Sequence, residues 1–325
     1  MFLEWSRFKD VEVLIDIRHS INYDAGHLPQ AISLPFHIDL KKIRQAFRQK
    51  KALDDNKVLD HVRDFEPFLE KVNAFAGKSM GFYCDSGGLR SHYLSQLLGD
   101  GFHFLKDGFQ GYIDDKLSIL DIDFDFILLE GFTGSGKTEI LRALARAGQQ
   151  FIDLEEITGH SGSVFGASHK HAPPTQLQFE LEIASMLEGY KVGLPIYIEQ
   201  KGKSIGGLHV PFAISKKLMS SPTFFLDVPK EVRLTNLVNR YAKLPKSILM
   251  SSILKLGDRL NHDEVKCAID FLKNDEFRAC AAILLKYYDG VEVYSSGKQG
   301  AMIIPYDTQE KMVAHMILLS RPSLG

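Results

Sequence analysis

Gly131-Phe132-Thr133-Gly134-Ser135-Gly136-Lys137-Thr138 is the stretch on which the reading of this chain turns. It fits the phosphate-loop pattern at every fixed position. An apolar run at residues 124–129 precedes it, and a helix-compatible run at 137–147, stopped by Gly148, follows. Glycines let the backbone wrap an anion so that successive N–H groups face inward, and the positive end of the following helix adds to them. Lys137 is placed to reach terminal phosphates, and Thr138 to ligate Mg²⁺ if a metal is used. Gly131, Thr133, Gly134, Ser135, Gly136, Lys137 and Thr138 are therefore the expected phosphate-binding set. A nucleotide is the usual ligand of such a loop, yet any diphosphate presents the same group.

Working outward toward the C-terminus, residues 151–154, 195–199 and 223–227 read as strands separated by helical or loop stretches, which implies a parallel, doubly wound sheet. Asp153 and Glu199 stand at the ends of two of these strands, where α/β sheets place ligands, and are candidates for a base or a Mg²⁺-linked carboxylate. Residues 230–241 and 247–288 are helical in pattern, with a late strand expected at 291–294. Toward the N-terminus, strands are expected at 11–17, 31–34 and 79–83, and helices at 41–51, 62–75 and 89–98. The mixed, acidic stretch 109–123 marks the expected boundary, giving domains at 1–115 and 116–325.

Bulk properties agree with two α/β domains. The chain has 325 residues, 45% of them hydrophobic and 25% charged, which supplies cores for both and excludes disordered and fibrous classes. Its net charge of −2 excludes a generic polycation, so any RNA contact must use local patches. Nowhere do about 18 uncharged apolar residues run together, and the first ten residues lack a signal-peptide core, so a cytoplasmic protein with no membrane partner is expected. Cys84, Cys267 and Cys280 are too few and too scattered for a disulfide framework or a common zinc site.

Cys84 nonetheless stands out. It closes the predicted strand at 79–83 and opens Cys84-Asp85-Ser86-Gly87-Gly88, with Arg90 following after five intervening residues. A thiol at a strand end, in a loop leading into a helix N-terminus, is expected to be thiolate-rich and nucleophilic. Arg90 is expected to hold an oxyanion near the sulfur. Cys84 and Arg90 are thus the candidate catalytic pair.

The context of that loop is Leu14-Ile15-Asp16-Ile17-Arg18, Tyr23, Gly26-His27-Leu28-Pro29 and Ala31-Ile32-Ser33-Leu34-Pro35. Over about the first 115 residues it resembles the rhodanese domain family, which passes sulfur or selenium on the loop cysteine. A gap of five residues between Cys84 and Arg90 resembles related phosphatase and reductase domains, which usually carry His where this chain has Tyr83. A rhodanese-like domain followed by a P-loop NTPase-like parallel-sheet domain with a helical C-terminal part resembles the bacterial tRNA 2-selenouridine synthase family across most of the chain. Asp153-Leu154-Glu155, His160 to Gly166, Pro174-Thr175-Gln176, Phe179-Glu180, Glu199, Ile205-Gly206, Leu256-Gly257, Arg259-Leu260 and Tyr287-Tyr288-Asp289 look like that family's segments.

The resemblance implies a transferase that geranylates wobble 2-thiouridine of certain tRNAs from geranyl diphosphate and then replaces the sulfur with selenium from selenophosphate. It assigns the diphosphate to the P-loop and the selenium step to Cys84. His160, Ser161 and Gln176 become candidate RNA or substrate contacts. Two departures accompany it: Asp85-Ser86 stands where the family usually has Trp-Arg, and Lys201 and Gly202 where it usually has Glu and Ser. Asp85 is expected to disfavour both a thiolate and an anionic donor. Two other readings stay open. One is a different P-loop transferase or kinase fused to a sulfur-relay or phosphatase-like domain; the other is a tRNA-binding protein with an inactive rhodanese domain.

The remaining groups read blandly. His160, His169 and His171 lack a completing carboxylate or cysteine at metal-ligand spacing, so no metal site is expected. Cys267 and Cys280 are expected in the core. The lysines and arginines between Lys41 and Lys51, and Lys201, Lys203, Lys216 and Lys217, read as solvated faces before RNA contacts. Oligomeric state, tRNA identity and the need for Mg²⁺ are left open by these motifs.

Overall fold

The computed structural model describes residues 1–39, 41, 62, 64–159, 173–199, 202, 204–257, 260–295 and 300–320, the side chains of 291–295 excepted. The chain divides into two units, Met1–Ile119 and Leu120–Gly325. The predicted helix at 41–51, His160, Ser161, His169, His171, Lys201 and Lys203 fall outside the described residues, Lys41 excepted.

The first unit runs β1 (Phe2–Leu3), α1 (Trp5–Phe8), β2 (Val13–Asp16), α2 (Ser20–Ala25), β3 (Ile32–Ser33), α3 (Phe65–Asn73), β4 (Met80–Tyr83), α4 (Leu89–Leu98), β5 (His103–Leu105) and α5 (Gly108–Leu117). Its strands form one parallel sheet in the order β1-β5-β4-β2-β3. β2 and β4 are buried along their whole length, which is why both read as continuous apolar runs rather than alternating ones. Ile15, Phe82 and Phe104 pack with Phe68, Val72, Tyr93 and Leu94 into its core. With β4 in the middle of the sheet, Cys84 leaves from the carboxyl end of the central strand.

The Asp16-Ile17-Arg18 and Gly26-His27-Leu28-Pro29 motifs turn out to be this sheet's frame. Asp16 and Arg18 are 0% and 4% exposed. Arg18 Nη2 donates to Asp16 Oδ2 at 2.6 Å and to the Gly26 carbonyl at 2.6 Å, while its guanidinium lies 4.0 Å over the Phe109 ring. Two charges out of water are held only because each satisfies the other; removing one partner from such a pair typically costs about 3–5 kcal/mol.

The second unit contains β6 (Phe126–Glu130), α6 (Lys137–Arg146), β7 (Gln150–Ile152), α7 (Leu154–Thr158), α8 (Gln176–Glu188), β8 (Ile196–Glu199), β9 (Ser204–Ile205), β10 (Leu208–His209), α9 (Phe212–Leu218), β11 (Thr223–Asp227), α10 (Lys230–Tyr241), α11 (Lys246–Lys255), α12 (His262–Lys273), α13 (Phe277–Ser295), β12 (Met302–Pro305) and α14 (Gln309–Leu319). Five of its strands form a parallel sheet ordered β12-β11-β6-β8-β7, and β9 and β10 pair as an antiparallel hairpin. The chain leaves central β6 for one side of the sheet, fills β7 and β8, then crosses to β11 on the other. That switch opens a crevice at the carboxyl end of β6, where the phosphate loop begins. α10 to α13 close over a core of their own built from Leu237, Tyr241, Ile253, Leu272 and Leu284.

Two expectations differ from the structure. Residues 291–294 are not a strand, because α13 continues through them to Ser295; once a helix is under way, adding a residue gains a hydrogen bond at little ordering cost. The late strand is instead β12, paired in parallel with β11. The stretch 109–123, read only as a mixed, acidic boundary, begins as most of α5, which buries Phe109, Tyr112 and Lys116. Cys267 is exposed whereas Cys280 is buried. α12 turns Ala268 and Leu272 inward, and Cys267, one position before Ala268, is rotated about 100° away from that face. Among the described residues, no helix is long and apolar enough to cross a membrane.

The two thiols of the helical layer should therefore behave oppositely. Burial pushes the Cys280 thiol up to about 11 from 9.0. Its raised value means that neutral Cys280 adds stability below pH 9, and that this is lost as pH climbs toward 11. At pH 8, iodoacetamide should modify Cys267 in the folded protein and Cys280 only after denaturation, as read by peptide mass spectrometry; equal labelling would contradict this packing.

Candidate functional site

The loop after β4 is shaped by what lies beneath it. The carbonyls of Cys84 and Asp85 accept hydrogen bonds from the amides of Phe109 at 2.9 Å and Gln110 at 2.8 Å, in the first turn of α5. A trans peptide is planar, so a carbonyl turned toward α5 sends the next N–H the other way; the amides of Asp85 and Ser86 face away from that helix. The approach is close enough to require glycine. At Gly87, with φ +61°, a Cβ would sit 1.6 Å from the Lys106 carbonyl oxygen.

Cys84 is 4% exposed, and its Sγ accepts a hydrogen bond from Ser91 Oγ at 3.0 Å. Ser91 is fully buried in the first turn of α4. A hydroxyl donor at this distance stabilises negative charge on the sulfur. Arg90 Nη1 meets Asp85 Oδ2 at 3.3 Å, Asn22 Nδ2 donates to Asp85 Oδ1 at 3.4 Å, and Arg90 Nε is buried without a hydrogen bond. Asp85, 56% exposed in its side chain, thus lies against the very guanidinium that would bind an oxyanion. Exposed pairs of this kind contribute about 0–1 kcal/mol, so an incoming dianion can displace the carboxylate. Tyr83 is fully buried under the loop, its hydroxyl accepting from the Leu28 amide at 3.2 Å. Burial and the Asp16 carboxylate raise its phenol far above the ordinary range.

The loop after β6 is built on the same plan with different partners. The Thr133 carbonyl accepts from Arg233 Nη1 at 3.2 Å and the Gly134 carbonyl from Asn236 Nδ2 at 2.9 Å, both from α10. The N–H of Gly134 therefore points away from α10. The Ser135 amide closes a turn onto the Phe132 carbonyl at 3.0 Å. Gly134 has φ +82°, and a Cβ there would lie 2.7 Å from the Arg233 carbonyl oxygen. α6 starts at Lys137, so its first amides add the positive end of a ten-residue helix.

Lys137 Nζ donates to the Gly131 carbonyl at 2.7 Å and stands 3.8 Å from Glu199 Oε1, while Thr138 Oγ1 donates to Glu199 Oε2 at 3.1 Å. The predicted residues Lys137, Thr138 and Glu199 are brought into one cluster. Asp153 does different work: its Oδ1 caps α7 by accepting from the amides of Glu155 and Glu156 at 3.0 and 3.1 Å. Asp153 Oδ2 is buried without a hydrogen bond, with Arg142 Nη2 at 3.6 Å, and burial raises its carboxyl above the usual range. Gln176 bridges α8 to the β9–β10 hairpin through the His209 carbonyl at 2.8 Å and the His209 amide at 2.9 Å.

Ser91, Arg233, Asn236 and Glu130 were missed by sequence reasoning. Glu130 closes β6 just before the loop, its Oε2 buried without a hydrogen bond and its carboxyl raised by burial. Its signal was legible, a carboxylate at a strand end, and so was that of Ser91, which adjoins Arg90. Arg233 and Asn236 had none, since their partners lie about a hundred residues away.

Known proteins share both halves of this arrangement. Residues 4–115 match the rhodanese-like domain family, and residues 124–264 match the AAA domain of tRNA 2-selenouridine synthase. A tRNA 2-selenouridine synthase of Bdellovibrio bacteriovorus is 30% identical over 292 residues, spanning 85% of this chain and 73% of that protein. One from Shewanella woodyi is 25% identical over 335 residues and 90% of each chain. A third, from Shewanella sp. strain ANA-3, is 29% identical over 245 residues; the match covers 70% of this chain and 65% of that relative's length. The N-terminal unit is thus a rhodanese-like domain, the C-terminal unit a P-loop parallel-sheet domain with a helical layer, and the chain belongs to the tRNA 2-selenouridine synthase family.

Proposed function

We propose that this chain is a transferase that converts wobble 2-thiouridine in tRNA to 2-selenouridine, using geranyl diphosphate and then selenophosphate. The observation that carries the reading is the presence, in one chain, of two anion-shaped glycine loops of different chemistry: one ends on a lysine and a helix N-terminus, the other on a buried thiol with a hydroxyl donor. The first suits a diphosphate leaving group, the second an anionic chalcogen donor.

In the first step the thiocarbonyl sulfur attacks the carbon bearing the diphosphate, a C–S bond forms, the C–O bond breaks, and the uridine ring loses its N3 proton. Negative charge grows on the departing diphosphate, and Lys137 with the amides of Gly134, Gly136 and Lys137 is placed to stabilise it. Thr138, 3.1 Å from Glu199, offers oxygen donors suited to Mg²⁺, which would neutralise further diphosphate charge when bound. Alkylation also prepares the second step, because a thiolate bearing the geranyl group leaves where a thiocarbonyl sulfur does not. In the second step selenophosphate held at the Arg90 loop attacks C2 through its selenium, the C–S bond breaks and geranylthiolate leaves, and attack of water on phosphorus breaks the Se–P bond to release phosphate. The Cys84 thiol supplies the proton that geranylthiolate takes up, with Ser91 Oγ holding the resulting charge on sulfur. His160, Ser161 and Gln176 remain the proposed RNA-facing segment.

Each loop has its own test, read by mass spectrometry of nucleosides after incubation of thiolated tRNA with each donor. Cys84→Ala should abolish selenium incorporation and leave geranylation within about twofold of wild type; loss of both in a folded, tRNA-binding variant would refute the division of labour.

Asp85→Ala should free the Arg90 guanidinium and raise the selenation rate several-fold at low donor concentration, about 1 kcal/mol of released competition at most. An unchanged rate would mean that the carboxylate does not compete.

Lys137→Ala should lower geranylation at least about a hundredfold without measurable change in thermal unfolding, since its ammonium makes contacts no neutral residue replaces. Adenosine triphosphate is the control. Rapid, Lys137-dependent hydrolysis of it, with no transfer from geranyl diphosphate, would overturn the prenyl-donor reading in favour of a kinase or ATPase.

A further inference from the structure

Arg233 is a charged residue with no role in the chemistry above, yet it is 5% exposed. It lies in α10, one of the helices that form the separate helical core. Its guanidinium is held in a two-bond fork by Asp289 of α13, Nη1 to Oδ1 at 2.7 Å and Nη2 to Oδ2 at 3.0 Å. The same Nη1 donates to the Thr133 carbonyl at 3.2 Å, and the guanidinium carbon lies 5.1 Å from the centre of the Phe132 ring. One turn on, Asn236 holds the Gly134 carbonyl. α10 therefore touches the phosphate loop at three consecutive residues, Phe132, Thr133 and Gly134, and does so with a side chain whose orientation is set by α13.

This geometry has a physical consequence. Gly134 sits in a left-handed conformation against the Arg233 backbone, and glycine has little conformational preference of its own. Losing the Arg233 bond to the Thr133 carbonyl loosens the 133–134 peptide and lets its N–H swing out of the anion-facing direction. A charged, forked donor buried beside the loop removes that freedom more strongly than a neutral or exposed one.

We infer that Arg233, clamped by Asp289, is a positioning residue for the phosphate loop, so that the helical layer sets the loop's affinity for a diphosphate. The inference rests on the proposed reading of the loop as a diphosphate site only for its ligand. The loop ordering itself stands on contacts within the second unit.

A second pair supplies the control. Arg278 of α13 meets Glu231 of α10 at 2.5 Å, joining the same two helices, but both side chains are exposed. Arg278 Nη1 also donates to Thr235 Oγ1 at 3.4 Å, so both of these bonds run to α10.

The test uses the full chain as wild type, Arg233→Lys, Asp289→Asn, Asn236→Ala and Arg278→Ala, with two readouts. In the first, hydrogen exchange of the Ser135 amide, which closes the loop turn, should speed up at least about tenfold in the first three variants and stay at the wild-type rate in Arg278→Ala. In the second, the dissociation constant for inorganic pyrophosphate should rise about tenfold in Arg233→Lys and Asp289→Asn, with no further rise when the two are combined, because the two residues act as one unit. With geranyl diphosphate the change should appear in KM, with kcat within about twofold.

Wild-type exchange in both Arg233→Lys and Asn236→Ala would overturn the inference. So would an equal acceleration in Arg278→Ala, which would mark general loosening of the helical layer. Asn236 is exposed, so its variant folds even if Asp289→Asn does not. Failure of wild-type protein to bind either pyrophosphate or geranyl diphosphate would instead refute the diphosphate reading, while the exchange comparison still decides the clamp.

Discussion

Both functional loops depend on tying a backbone carbonyl to something outside the loop. A peptide unit has one donor and one acceptor pointing in opposite directions, so a loop can offer its N–H groups to an anion only if its carbonyls are satisfied elsewhere. In the N-terminal unit the elsewhere is the first turn of α5, whose amides take the Cys84 and Asp85 carbonyls. In the C-terminal unit it is α10, whose Arg233 and Asn236 side chains take those of Thr133 and Gly134. Glycine is needed in each loop where the supporting backbone comes too near for a Cβ, at Gly87 and Gly134.

The two solutions differ in what they make adjustable. Backbone amides at the start of a helix are fixed by the helix, so the thiol loop is as rigid as α5 itself. Side chains are fixed only by their own partners, and Arg233 has one, Asp289, from a different helix. The arginines of the two units show the same contrast. Arg90 pairs with an exposed carboxylate at 3.3 Å, a contact solvent screens and a dianion can open. Arg233 and Arg18 are buried, each in a forked pair with a carboxylate, and breaking either leaves a charge stranded in the interior. Of these three guanidiniums, Arg90 is the one whose carboxylate partner is open to water.

Placement of the loops follows from sheet order. β4 and β6 are central in their sheets, so each loop emerges where neighbouring strands also end, and residues from those strands gather round it. Glu199 reaches Thr138 and Lys137 because β8 runs beside β6 in register, Leu129 opposite Glu199. Asp153 follows β7, one strand further out, and its carboxylate caps α7 instead. Strand-end position was a sound guide to the neighbourhood of a site, but distance from the central strand decided which carboxylate joined it.

The amino-acid sequence by itself determined the local pieces: the buried strands, because full burial demands unbroken apolar runs; α4, α6 and α10, because their apolar positions recur at helical spacing; and the two loops, because their glycines, Cys84, Arg90, Lys137 and Thr138 stand at fixed separations. Only the tertiary structure decided which of these pieces meet. Arg233 and Thr133 are 100 residues apart, and Arg233 and Asp289 are 56 apart, so no local pattern announces the clamp. The path of α13 through residues 291–294 was settled by the helix already propagating from Phe277, against a β-branched composition that favours a strand. Local preference is worth tenths of a kcal/mol to about one per residue, and a cooperative helix or a buried ion pair outweighs it.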